Sequence, residues 1–224
     1  MRLIKGIFAL FLSFCISLCS CNEYVDTMSR IPIVILDAGH GGEDPGAIGY
    51  DGVYEKDLNL LICKLIREEL TAQGYAVVMT REDDRLLYTE AENIKGIRKI
   101  SDLKNRVKIF NSYEPAIAIS IHMNTFFASQ YHGTQIYYSN VDGADRLAAA
   151  IRDSVRVELQ PDNRRPLKHS EGIYLLENSK IPTVLVECGF LSNPEECKKL
   201  SEKEYQKRLS FSIVCGIINY IEEN

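Results

Sequence analysis

The sequence has no excess of positive charge. Its 26 Lys and Arg stand against 31 Asp and Glu, a net charge of −5, which argues against a dedicated nucleic-acid binder. Its 7 Cys include no CxxC pair, so a cysteine-built zinc site is not the organising feature. HExxH, GxxxxGKS/T and GxGxxG are all missing. The Gly39, Gly41 and Gly42 cluster therefore does not read as a phosphate cradle. There is no internal repeat, no low-complexity tract and no sign of a second domain. With 46% hydrophobic and 25% charged residues, disorder, collagen and coiled coil are excluded as overall descriptions. A chain of 224 residues is long enough for one sizeable core.

No apolar run is long enough to span a bilayer comfortably. Ile7 to Leu18 covers twelve residues, whereas a span needs about 20. Arg2 and Lys5 precede the run, and together they read as a signal peptide. The run ends in Leu18-Cys19-Ser20-Cys21, which resembles the bacterial lipobox with Cys21 as the lipidated residue. Residues 1–20 are then a lipoprotein-type signal peptide, 21–30 a polar tether and 31–224 the working domain. A plain signal peptide and an uncleaved short anchor are the alternatives. Each of the three places the domain outside the cytoplasmic membrane, held there by a lipid anchor or an uncleaved signal in two of them. Cleavage removes Arg2 and Lys5 and so lowers the net charge by two. Cys63, Cys188, Cys197 and Cys215 remain in the domain, with Cys63 and Cys215 on apolar helix faces as small hydrophobes.

The periodicity from residue 31 onward alternates between strand and helix. Ile31 to Leu36 is a β-branched apolar run, as expected of a strand buried on both faces. A Gly-rich loop, Ala38 to Gly52, follows. Leu58, Leu61, Ile62, Leu65, Ile66 and Leu70 then recur at helical spacing, and Tyr75 to Met79 reads as the next strand, giving a βαβ unit with parallel strands. Glu82 to Ile100 reads as loop, Ser101 to Asn111 as helix, and Ala116 to Ile121 and Gln135 to Tyr138 as strands. Ala144 to Leu159 reads as helix and 160–171 as loop. Ile173 to Leu176 and Thr183 to Val186 read as strands. Asn193-Pro194-Glu195-Glu196 is a strong helix start, and Tyr205, Leu209, Ile213, Ile217 and Tyr220 mark a closing helix. The expected fold is α/β: a single-domain three-layer sandwich around a mostly parallel, twisted sheet.

The best strands end in polar residues: the first in Asp37 and then His40, the third in His122 and Asn124, the last in Glu187. In an open α/β sheet, ligands bind beyond the carboxyl ends of the parallel strands. Glu55 opens the first crossover helix at the same edge. Two His with one carboxylate form a known catalytic zinc set, and a second carboxylate is left to move protons. An acid closing an apolar strand, as Glu187 does, is costly unless paired. His132 and His169 fall in polar loops and read as non-ligands. Asp37 and Asn124 are candidates to orient the ligands.

The segments Ile35-Leu36-Asp37-Ala38-Gly39-His40-Gly41-Gly42, Tyr54-Glu55-Lys56-Asp57-Leu58-Asn59, Ser120-Ile121-His122-Met123-Asn124 and Leu185-Val186-Glu187-Cys188-Gly189-Phe190-Leu191-Ser192-Asn193 resemble the zinc-dependent N-acetylmuramoyl-L-alanine amidases of the bacterial cell wall. Lys95 to Val107 and Gly172 to Leu176 look most like the sporulation and germination (CwlD-like) branch. The resemblance implies His40, Glu55 and His122 as ligands of a Zn2+ ion and Glu187 as the catalytic carboxylate. The implied substrate is peptidoglycan, cut between N-acetylmuramic acid and L-alanine. Two other readings remain: an inactive wall-binding lipoprotein, and a zinc peptidase acting on the stem peptide. The sequence names no protein activator.

Overall fold

Ile33–Ala38 (β1) alternates its side chains between two helical layers. Val34, Leu36 and Ala38 enter the larger core cluster, while Ile35 enters a smaller one on the opposite face. The computed structural model describes residues 31–224. The signal peptide, Cys21 and the tether lie outside the described residues.

The other strands are Val77–Met79 (β2), Ala116–Asn124 (β3), Gln135–Tyr138 (β4), Lys168–His169 (β5) and Thr183–Phe190 (β6). They form one sheet in the order β2-β1-β3-β6-β4-β5. The pairs β1–β2, β1–β3 and β3–β6 are parallel. β4 runs antiparallel to β6, and β5 runs parallel to β4. The sheet is therefore mostly parallel, with the reversed strands at one edge.

Three helices cover one face: Glu55–Ala72 (α1), Ala144–Glu158 (α3) and Lys203–Glu223 (α6). Their buried side chains, among them Ile62, Ile66, Leu147, Ile151, Leu209 and Ile213, share the larger cluster with the sheet. Gly216 lets α6 approach α3 closely, since a Cβ there would stand 2.5 Å from the Ile151 Cα. The opposite face carries a thinner layer, Arg98–Phe110 (α2) and Tyr174–Asn178 (α4), packed through Val107, Phe110 and Leu175. Pro194–Ser201 (α5) precedes α6, and the Asn193 side chain caps it by accepting from Glu196 N at 3.0 Å. The three-layer α/β expectation holds.

Some boundaries differ from the periodicity. β1, β3 and β6 continue through Ala38, Asn124 and Phe190, so Asp37, His122 and Glu187 are strand residues rather than loop residues. α2 begins at Arg98 inside the expected loop, and Ser101 is buried within the helix instead of capping it. Of residues 173–176, expected as a strand, Tyr174 to Leu176 form the start of α4, and Ile173 precedes it in extended conformation. Four apolar residues cannot specify a period, and here Leu175 is needed beneath α2 rather than in the sheet.

Candidate metal centre

His40 stands just past the end of β1 with φ 61, the one non-glycine residue with positive φ among the described residues. Two buried arginines hold this unusual backbone. Arg106, on α2, donates from Nη2 to the His40 carbonyl at 2.8 Å and from Nη1 to the Ala38 carbonyl at 2.7 Å. It also contacts Asp37 at 2.6 Å and Asp102 at 2.8 Å. Arg81 donates to the carbonyls of Ala38, Gly39 and Lys56 at 2.8–3.0 Å. Both side chains are 1% exposed. Burial alone would push the Asp37 carboxyl up. Arg106, with the Ser120 and Thr80 hydroxyls at 2.6 and 2.7 Å, outweighs it and holds the group below the usual range.

Glu55 is the first residue of α1, where the positive end of the helix dipole favours an anion. Its Oε2 accepts from Ala47 N at 2.7 Å, and its Oε1 accepts from Met123 N at 3.1 Å. The same Oε1 lies 2.9 Å from His122 Nδ1 and 3.2 Å from His40 Nε2. Burial disfavours charge on Glu55, but the two imidazoles overcome it and keep the carboxyl far below its usual range. Burial likewise disfavours a charged His40. Hydrogen bonds to Asp44 and Glu55 prevail and raise it to about 9.

His122 projects from β3 onto the face that also carries Asp37, and its ring lies against Gly39. A Cβ at Gly39 would meet the His122 Cε1 at 2.2 Å, so only glycine admits the ring there. The rings of His40 and His122 are 5.0 Å apart and meet edge to face. One donor atom each from His40, Glu55 and His122 fits within 4.8 Å of the others. Around a tetrahedral zinc with bonds of about 2.0–2.2 Å, neighbouring ligand atoms stand roughly 3.3–3.6 Å apart. The donor types and their separations therefore fit a zinc-sized ion after small adjustments.

Glu187 is paired in register with His122 on the adjacent parallel strand. The residue is partly exposed, yet its Oε2 is sealed from solvent and has no hydrogen-bond partner. Burial pushes its carboxyl up to about 7, with His122 and His40 opposing and Glu55 adding to the rise. It is thus a carboxyl near neutrality beside the three-donor cluster. Cys188 points the other way, into the larger core cluster.

His132 and His169 stay outside the cluster and contact Gln130 and Asn140. Asp37 pairs with Arg106, which in turn holds the His40 carbonyl, and Asn124 offers its carbonyl to Leu191 N at 2.8 Å. The residues that sequence reasoning missed are Asp44, Arg81, Asp102 and Arg106. A buried arginine has no periodic signature. Asp44 does leave a trace, four residues after His40 in a turn-forming Asp-Pro-Gly.

Residues 34–219 match the family described as N-acetylmuramoyl-L-alanine amidase. The chain belongs to that family. The germination-specific N-acetylmuramoyl-L-alanine amidase of Bacillus subtilis (strain 168) is 40% identical over 192 residues, 85% of this chain and 80% of that protein. The solved CwlD amidase from Clostridioides difficile, in complex with the GerS lipoprotein, is 40% identical with a TM-score of 0.81, covering 86% of this chain and 100% of that one. AmiC2 of Nostoc punctiforme is 28% identical with a TM-score of 0.73, covering 85% and 97%. The family resemblance and the likeness to the germination branch are borne out. The amidase is an enzyme of peptidoglycan hydrolysis, and neither the wall-binding nor the stem-peptide reading gains support from these relatives.

Proposed function

We propose that this amidase hydrolyses the amide between the lactyl group of N-acetylmuramic acid and L-alanine, with His40, Glu55 and His122 as ligands of one Zn2+ and Glu187 as the proton carrier. The observation that carries the assignment is the cluster of three donor atoms within 4.8 Å beside an unpartnered carboxylate oxygen. A bound zinc supplies Lewis acidity toward the substrate carbonyl and lowers the pKa of a coordinated water.

The chain's own groups do the rest. Glu55 enters with both oxygens already hydrogen-bonded to backbone, so it presents Oε1 in a fixed direction. Glu187, with its acidity near neutral, takes a proton from the attacking water and returns it to the departing alanine nitrogen. Water oxygen bonds to the lactyl carbonyl carbon, the carbon–nitrogen bond breaks, and the amine leaves protonated. Asp37 and Arg106 keep the His40 loop in place during this exchange.

The reading extends to location. A signal peptide over residues 1–20, with Cys21 directly after it, supports export and lipid anchoring, which brings the domain to the wall from the membrane surface. Among the described residues no helix is long and apolar enough to cross a membrane. Mass spectrometry of fragments released from purified wall tests the reaction. Free stem peptides beginning in L-alanine support it, and peptide–peptide cleavage with the muramoyl amide intact overturns it.

A further inference from the structure

Asp44 occupies a constrained place. Its backbone exchanges hydrogen bonds with Gly41 at 3.0 Å in both directions, closing a tight loop directly after His40. Its side chain is 14% exposed, and Oδ2 lies 2.8 Å from His40 Nδ1. On the far side, Lys99 Nζ of α2 stands 3.1 Å from the carboxylate. Asp44 thus lies between a ligand candidate and a solvent-facing lysine, and it touches neither Glu55 nor His122.

The two nitrogens of His40 therefore face different partners: Nδ1 faces Asp44, and Nε2 faces Glu55 Oε1 at 3.2 Å. A carboxylate only accepts hydrogen bonds, so Nδ1 must carry the proton and donate it. Glu55 Oε1 likewise only accepts, so a proton on Nε2 is the one that a metal shared by His40 and Glu55 would displace, while Asp44, outside the three-donor cluster, keeps the other on Nδ1. Without Asp44, the proton is free to sit on Nε2, where it would block coordination. We infer that Asp44 is a positioning residue that fixes the tautomer and ring direction of His40 for a divalent metal. The inference rests on the proposed ligand set. It goes beyond that set by assigning metal affinity to a residue that is not a ligand, in keeping with the outer partners metal-bound imidazoles need.

A purely structural alternative exists: Asp44 could serve only to tie the loop to α2 through Lys99. Lys99→Ala breaks that tie and leaves the carboxylate on His40, so the two roles separate. The experiment titrates Zn2+ into metal-stripped full-length protein against a chromophoric chelator, with folding checked by circular dichroism. Asp44→Ala should weaken Zn2+ binding by about 10–100-fold, the usual scale for such partners. Asp44→Asn, whose amide oxygen can still accept from Nδ1, should restore part of the loss. Lys99→Ala should stay within about 3-fold of the parent.

Parent-like affinity in folded Asp44→Ala overturns the inference, and so does an equal loss in Lys99→Ala. His40→Ala is the reference that tests the underlying ligand set. If it too binds Zn2+ as the parent does, the ligand set itself fails. Nitrogen-15 NMR of the zinc-loaded parent gives a readout that needs no variant. His40 coordinated through Nε2 with a protonated Nδ1 supports the role, and coordination through Nδ1 overturns it.

Discussion

His122 and Glu187 are register partners on neighbouring parallel strands, and both side chains leave the same face of the sheet. The pairing brings a ligand candidate and the proposed proton carrier together by backbone hydrogen bonding alone, without a flexible loop between them. A site set on strands holds its geometry more tightly than one set on loops. In this amidase only His40 comes from a loop, and that loop is the part the buried arginines restrain.

The division of labour between the two strands is separable by substitution. Glu187→Gln keeps shape and most hydrogen-bonding capacity but cannot move a proton. Zinc content should persist while turnover falls by at least about 10²–10⁴, the scale of a positioned acid–base group. Measuring both quantities on one preparation decides the matter: joint loss of zinc and activity makes Glu187 a ligand, and retained activity sends the search for the base elsewhere.

Zinc content itself should be about one ion per chain, removable by chelation. His40→Ala and His122→Ala should each cut occupancy sharply, because three protein ligands are the usual minimum for a catalytic zinc site. Elemental analysis after dialysis is the check, and full occupancy in both variants would remove these residues from the ligand set.

Metal-free protein should show an acid-favouring stability term from Glu187. Its carboxyl ionises near 4.5 when unfolded and near 7 when folded, so the folded state holds the proton more tightly. The group's contribution is therefore full below about 4.5 and declines as pH rises towards 7. Glu187→Gln abolishes that decline. Its Tm should match the parent at pH 4 and exceed it at pH 8, and a parallel pair of pH–Tm curves would count against the buried-carboxyl account.

Much of this was legible before any geometry. β-branched runs marked β1, β3 and β6, and polar residues at their ends marked His40, His122 and Glu187. Those signals are strong because a strand buried on both faces leaves an acid or imidazole conspicuous. Glu55 was readable only from its place at a helix start facing the same edge. α4 was misread because four residues carry no period. Arg81 and Arg106 were invisible because their roles depend on carbonyls tens of residues away, and charged residues ordinarily read as surface.

Arg106 should matter to stability far more than its charge class suggests. It is 1% exposed and faces Asp37 and Asp102. Breaking a buried pair by removing one partner leaves an uncompensated charge and costs about 3–5 kcal/mol. Arg106→Ala should lower the urea midpoint by a corresponding amount. Arg106→Lys should recover little, since an ammonium cannot reach the same acceptors with a planar fork. A midpoint unchanged within error would show that water replaces the guanidinium there.

The anchor is testable in cells. Cys21→Ser should block lipoprotein processing or release the domain from the membrane fraction, because stable attachment needs more than one acyl chain at about 0.8 kcal/mol per buried CH₂. Unchanged processing together with unchanged fractionation would leave a plain signal or an uncleaved anchor.

The two arginines beneath the His40 loop give its backbone what a neighbouring strand gives a sheet. Carbonyls of Ala38, Gly39, His40 and Lys56 all receive guanidinium N–H groups. In a random-mutagenesis screen scored by wall lysis, substitutions at Arg81 and Arg106 would then be indistinguishable from hits in the reacting centre. A map of sensitivity drawn from such a screen would trace the loop's scaffolding as faithfully as its chemistry.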